Sequence, residues 1–134
     1  MTAPLKAAIV GCGDIAHYHL RGYQLAGVDV VAVVDPLAVA RAQFQQEYGI
    51  AHGFASIEEL LGEMLPDIVS VCTWHLLHPA PTIAVAKAGV KAVICEKPMA
   101  VGVGPADEML AACEESGSKL VISHQRRFTP GWEK

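Results

Sequence analysis

Chemistry in this 134-residue chain gathers where apolar runs stop. The run Leu5-Lys6-Ala7-Ala8-Ile9-Val10 leads into Gly11-Cys12-Gly13-Asp14-Ile15-Ala16, a G-x-G-x-x-A turn. Gly11 admits a tight reversal, Gly13 lets the backbone approach a pyrophosphate with no Cβ in the way, and Ala16 lets the next helix pack closely on the strand. The start of that helix, at Asp14 and Ile15, offers unpaired N–H groups and a positive dipole end to an anion. A second apolar run, Val28–Val34, ends at Asp35, 22 positions beyond Gly13. A carboxylate there can accept the hydroxyls of an adenosine ribose and repel a 2′-phosphate; followed by Pro36, it can equally cap the next helix. Turn and acid together imply a dinucleotide site, with NAD preferred to NADP. Arg41, on the following helix, is expected to face solvent.

Three further runs end in polar residues. Asp67–Cys72 leads to Thr73-Trp74-His75-Leu76-Leu77-His78, Val90–Cys95 to Glu96-Lys97-Pro98, and Leu120–Ser123 to His124-Gln125-Arg126-Arg127-Phe128. In a parallel sheet, ligands bind beyond the carboxyl ends of the strands, so these clusters share one functional edge. A second reading has His75, His78, His124, Cys72 and Cys95 converging on a metal; the spacings match no dedicated zinc pattern, and no metal is assigned.

The elements that position these groups alternate. Helices are expected over 14–25, 37–48, 57–61 and 105–115, with another beginning at Pro79 and Pro81 and ending at Gly89. Ser56 with Glu59 forms a capping-box signature, and His52-Gly53-Phe54 reads as a short third strand. His17 and His19, on the first helix, are expected to face outward. Strands and helices in this order predict an α/β, doubly wound, mostly parallel Rossmann sheet of about six strands with helices on both faces. A composition of 52% hydrophobic but 6% aromatic residues suits such a core. A net charge of −4 without a basic cluster argues against nucleic acid and anionic membrane partners. No apolar stretch reaches membrane-spanning length. The four cysteines show no C-x-x-C and read as free thiols of a cytoplasmic protein.

At Glu96-Lys97-Pro98 the pattern resembles the N-terminal domain of the Gfo/Idh/MocA oxidoreductases. The matching stretches are Ile9–Ala16, Val33-Val34-Asp35-Pro36, Cys72-Thr73, His78, Cys95-Glu96-Lys97-Pro98 and Arg126-Arg127-Phe128, in order over nearly the whole chain. The resemblance implies NAD(P)-dependent oxidation of a secondary alcohol on a sugar, polyol or related compound. Lys97 inherits the place beside nicotinamide and substrate, as the catalytic residue, and Glu96 is expected on the nicotinamide ribose. Thr73, His75, His78 and Arg127 join the expected cofactor set. Where the family usually reads Thr-Pro-Asn-x-x-His, this chain has Trp74 and His75 in place of Pro and Asn. The imidazole can supply one polar contact, and Trp74 either walls the cofactor or wedges into the core.

The resemblance also implies a division of the chain. Residues 1–128 are expected to form the dinucleotide domain, and 129–134, opening with Thr129-Pro130, the start of a crossover helix. That helix would lead into a second, α+β domain supplying most of the substrate pocket and the interface of a homo-oligomer, so that this chain alone would be inactive. The other function classes are an NAD(H)-binding module or redox sensor without chemistry and an NAD-retaining glycosidase.

Overall fold

The apolar runs become β1 (Lys6–Val10), β2 (Asp29–Val34), β3 (His52–Phe54), β4 (Ile68–Val71), β5 (Ala92–Glu96) and β6 (Lys119–Ser123). They pair in parallel in the order β3-β2-β1-β4-β5-β6. Between them run α1 (Asp14–Leu25), α2 (Ala38–Tyr48), α3 (Ile57–Glu63), α4 (Pro79–Lys87) and α5 (Val103–Ser116). The structure, a computed structural model, describes residues 3–131.

Strand alternation sorts the core into two layers. Ala7 and Ile9 of β1 and Val33 of β2 pack with Leu20 and Tyr23 of α1 and Phe44 of α2. Ala8 and Val10, with Val69, Val71, Val93 and Cys95, pack on the other side with Leu60 of α3, Val85 of α4 and Met109 of α5. Both faces of the sheet are therefore buried, which is why its strands carry so few polar side chains.

Helix ends follow their local signals. Ser56 Oγ accepts the Glu59 N–H at 3.3 Å, while Glu59 Oε2 accepts the Ala55 N–H at 2.9 Å, one residue before the cap. α2 stops at Gly49, in the left-handed conformation. α3 runs two residues further than expected and α5 begins two residues earlier. Of the crossover helix expected from Thr129, the described residues include the first three positions alone. A 3-10 helix, Gln125–Phe128, follows β6, and Thr129–Gly131 form a bend and turn; the rest of that expectation lies outside the described residues.

The order reverses between β1 and β4, and Gly11 sits at that junction. Its φ is +92°, and a Cβ there would stand 2.9 Å from the Cys72 carbonyl oxygen. Its N–H donates to Val34 O at 2.7 Å, while the Cys72 N–H donates to Val10 O at 2.7 Å. Gly11→Ala therefore meets a strained backbone and a collision with backbone atoms together. We expect it to cost about 1–3 kcal/mol, read as a melting temperature lower by roughly 4–12 °C in thermal unfolding.

Candidate functional site

Beyond the ends of β1 and β4 the chain leaves a crevice of about 550 Å³, bounded by segments 11–15, 35–37 and 72–75 together with Leu77 and Lys97. This is the reversal point of a doubly wound sheet, where such folds take their ligands. Gly13 has an ordinary φ of −86°, and a Cβ built on it would meet nothing within 4 Å. Neither backbone nor packing asks for glycine there; the open space is available to a ligand. No side chain caps α1, so the positive end of the helix keeps donors for an anion.

Asp35 ties this turn to the next helix. Its Oδ2 accepts the Cys12 N–H at 2.9 Å and its Oδ1 the Leu37 N–H at 2.8 Å, leaving a further lone pair on each oxygen. The carboxylate thus reaches from the crevice turn to Leu37, the residue before α2, but does not cap the helix, which carries no side-chain cap. Arg41 does not face solvent as expected. It is half-buried, and its guanidinium donates to the Asp35 carbonyl at 2.5 Å. Its stem crosses Gly53, where no Cβ stands in the way. Burial, reinforced by the Asp35 charge, pushes the Cys12 thiol up to about 12, so this crevice cysteine is a protonated wall rather than a nucleophile.

At the other end of the crevice Lys97 is exposed and has no ion-pair partner among the described residues. Thr73, Trp74 and His75 line the same space. Trp74 is 76% exposed, so it is not a core wedge. His78 is buried beside them and does not line the crevice. Its Nδ1 lies 2.8 Å from Pro98 O and its Nε2 3.0 Å from Thr73 O, so it braces the loop after β4 against the loop after β5. Arg127 lies exposed on the 3-10 helix, away from the crevice lining. The expected metal alternative finds no group of three or more candidate ligands among the described residues.

Glu96 is also placed differently from its expected ribose contact. Alternation along β5 turns Ile94 and Glu96 toward the α1 side, and the carboxylate is buried there instead of lining the crevice. Its Oε1 lies 2.8 Å from His19 Nε2, and its Oε2 accepts the Lys97 N–H at 3.2 Å. His19, expected outward, has a side chain only 9% exposed. Its Nδ1 lies 2.9 Å from Ser70 Oγ, which is 2.6 Å from the Tyr23 hydroxyl. Sequence reasoning missed His19, Ser70 and Tyr23. The available signal was helical spacing: His19 is three residues from Ala16 and four from Tyr23, on the stripe that α1 buries. His17 is likewise drawn inward, with Nδ1 2.5 Å from the Tyr48 hydroxyl and its ring against Phe44. Serine, histidine and glutamate in a row have the composition of a nucleophile triad, but Ser70 is fully buried, out of any substrate's reach.

Comparison with known proteins agrees with this geometry. Residues 5–124 match the Gfo/Idh/MocA family, described as "Oxidoreductase family, NAD-binding Rossmann fold". The chain belongs to this family. It is 36% identical over 120 residues to the 1,5-anhydro-D-fructose reductase of Ensifer adhaerens, covering 89% of this chain and 36% of that protein. It is 32% identical over 132 residues to the inositol 2-dehydrogenase of Salmonella typhimurium, covering 96% and 39%. Among solved structures, the WlbA dehydrogenase of Bordetella pertussis, in complex with NADH and UDP-GlcNAcA, superposes with a TM-score of 0.91 at 28% identity, covering 98% of this chain and 40% of that one. The chain thus spans between 36% and 40% of the length of these relatives. It is an NAD-binding Rossmann domain, and none of its described helices is long and apolar enough to cross a membrane.

In this family member the buried Glu96 has a consequence for stability. Burial pushes its carboxyl up, but the hydrogen bonds from His19 and Ser123 and the Lys97 N–H outweigh it and hold the group below the ordinary value of 4.5. A carboxyl depressed in the folded state stabilises the fold above its unfolded value, and that contribution disappears as pH falls through the folded one. Thermal unfolding should therefore show the chain losing stability as pH drops below 4.5, and Glu96→Gln should lose less over the same interval. Parallel curves for the two would contradict this assignment.

Proposed function

We propose that this chain is the cofactor-holding part of an NAD-dependent dehydrogenase acting on a secondary alcohol of a sugar, a polyol or a related compound. The observation that carries this reading is convergence in one crevice: an uncapped helix start beside the open Gly13, the Asp35 carboxylate, and Lys97 without an ion-pair partner among the described residues. The residues fit the cofactor. Its pyrophosphate would lie over Gly11 and Gly13, on the N–H groups at the start of α1 by Asp14 and Ile15, with Ala16 keeping α1 close to the sheet. Asp35 would take the adenosine ribose. An adjoining cleft of about 240 Å³, walled by Val34, Ile57, Leu77 and Pro81, would take the adenine. Thr73, His75 and Lys97 would surround the nicotinamide end, with His78 and Glu96 holding the two loops from behind.

When bound, the nicotinamide accepts or returns a hydride. Lys97 handles the accompanying proton. Its amine hydrogen-bonds the reacting hydroxyl and takes its proton during oxidation; as an ammonium it returns that proton to the carbonyl oxygen during reduction. The relatives named as an anhydrofructose reductase and an inositol dehydrogenase support a polyhydroxylated substrate. The larger part of such an enzyme would supply most of the substrate pocket and a homo-oligomer interface, and the free thiols suit a cytoplasmic setting.

Fluorescence titration tests the cofactor assignment. NADH should saturate this chain with NADPH weaker by at least about tenfold, and Asp35→Ser should narrow that gap. Gly13→Ala should weaken NADH about tenfold or more while leaving the melting temperature unchanged or slightly higher, because its backbone suits alanine. Equal or tighter NADPH binding, or no binding of either, would overturn the assignment. For the chemistry, Lys97→Ala in the whole enzyme should lower kcat about 100-fold or more while retaining NADH; undiminished turnover would exclude Lys97 as the proton carrier.

A further inference from the structure

The buried array behind the crevice has one arrangement of protons that leaves no donor idle. Tyr23 is buried and its hydroxyl finds one polar partner among the described residues, Ser70 Oγ at 2.6 Å. Burial pushes its phenol up to about 12, so it keeps its proton and donates it to Ser70. Ser70 then donates onward to His19 Nδ1 at 2.9 Å, which must be the bare nitrogen. His19 Nε2 carries the ring proton and donates it to Glu96 Oε1 at 2.8 Å, while Lys97 donates its N–H to Oε2 at 3.2 Å. Moving the histidine proton to Nδ1 would aim a bare nitrogen at a carboxylate and, with Ser70 Oγ accepting from both sides, leave the serine's own proton without a partner.

We propose that His19 is a positioning residue for Lys97: through Nε2–H it holds the Glu96 carboxylate on the α1 side of the sheet, so that the neighbouring lysine side chain reaches the crevice free of its adjacent anion. The inference rests on the reading of Lys97 as the proton-handling group. Its physical basis is the position of β5. Glu96 is the last residue paired to β6, opposite Ser123, and Lys97 is the next residue along. Without His19 the Ser123 hydroxyl remains on the α1 side, but one neutral side-chain donor in place of two leaves the buried carboxylate undercompensated; it would seek the nearest cation, and the nearest in sequence is the Lys97 ammonium. A lysine held in such a pair is a poorer proton acceptor and a poorer nucleophile.

Competitive trace acetylation of this chain, read by mass spectrometry, tests the proposal with the exposed Lys87 and Lys119 as internal standards. His19→Ala should lower the relative reactivity of Lys97 about three- to tenfold. His19→Gln, which keeps an N–H donor, should restore it. Adding Glu96→Gln to His19→Ala should restore it too, which loosened packing alone would not do. Unchanged reactivity in His19→Ala, or a loss that Glu96→Gln fails to reverse, would overturn the proposal. Should His19→Ala not fold, nitrogen NMR of the unaltered chain decides: a bare Nδ1 with a protonated Nε2 supports it, and an imidazolium or the opposite tautomer refutes it. None of these readouts needs the cofactor. A chain that passes them but binds no NADH would lose the dehydrogenase reading while keeping the coupling between His19, Glu96 and Lys97.

Discussion

The crevice exists because the ends of β1 and β4 meet backbone to backbone and then part. Gly11 makes that approach possible: a Cβ on it would lie 2.9 Å from the Cys72 carbonyl oxygen. The N–H groups of Gly11 and Cys72 donate to Val34 and Val10, so three strand ends are locked in register at the point where their chains diverge. From that lock one chain turns into α1 and another into the loop 73–78. The Asp35 carboxylate, following directly after the third, reaches back to the Cys12 N–H. The polar groups facing the crevice hang from these segments or from the end of β5, so their spacing is set by backbone contacts rather than by flexible side chains.

Much of this was legible in the sequence because single strong signals coincided. The apolar run, the glycine turn and the apolar stripe of the first helix all pointed to the same unit, and α1 spans the residues they indicated. What was not legible depended on pairings across the sheet. A histidine on a helix reads as solvent-facing unless something beneath it is polar. Ser70 and Glu96 meet His19 only because β4 and β5 present them on the same face, which follows from the register pairing Ser70 with Ile94. Arg41 is similar. Its stem lies with the Gln45 side chain over Gly53 of β3, where a Cβ would collide with Gln45 Oε1 and stand 3.1 Å from Arg41 Cγ, an approach set by the pairing of β3 with β2. A position at the end of a strand identifies the edge of the sheet but not the face, and that is why Glu96 was expected in the crevice and lies behind it.

Alternation at the end of β5 separates two kinds of electrostatics. Val93 and Cys95 are sealed into the layer under α4 and α5. Glu96 enters the α1 layer, where it is buried with hydrogen-bond donors on both carboxylate oxygens. Lys97, just past the last pairing, is the first residue free to enter solvent. An acid and a base adjacent in sequence would ordinarily satisfy each other; here the strand edge keeps them apart. The acid is buried within the fold and the lysine is left exposed at the crevice.

The same separation explains how the loop after β4 tolerates its unusual residues. His78 lies between this loop and the next, with Nε2 3.0 Å from Thr73 O and Nδ1 2.8 Å from Pro98 O, and a ring with one N–H donates to one of these two carbonyls. Both neighbours are backbone, so neither contact depends on which side chains stand at 74 and 75. A tryptophan and a histidine can replace the family's usual proline and asparagine while Thr73 keeps its place. His75 opens a short 3-10 helix, His75–Leu77, and Trp74 is its extended N-cap residue, with the indole largely exposed at the crevice. The side chains at 74 and 75 thus line the crevice and lie apart from the backbone contacts that hold the strands, so they can change without disturbing how the loop is anchored.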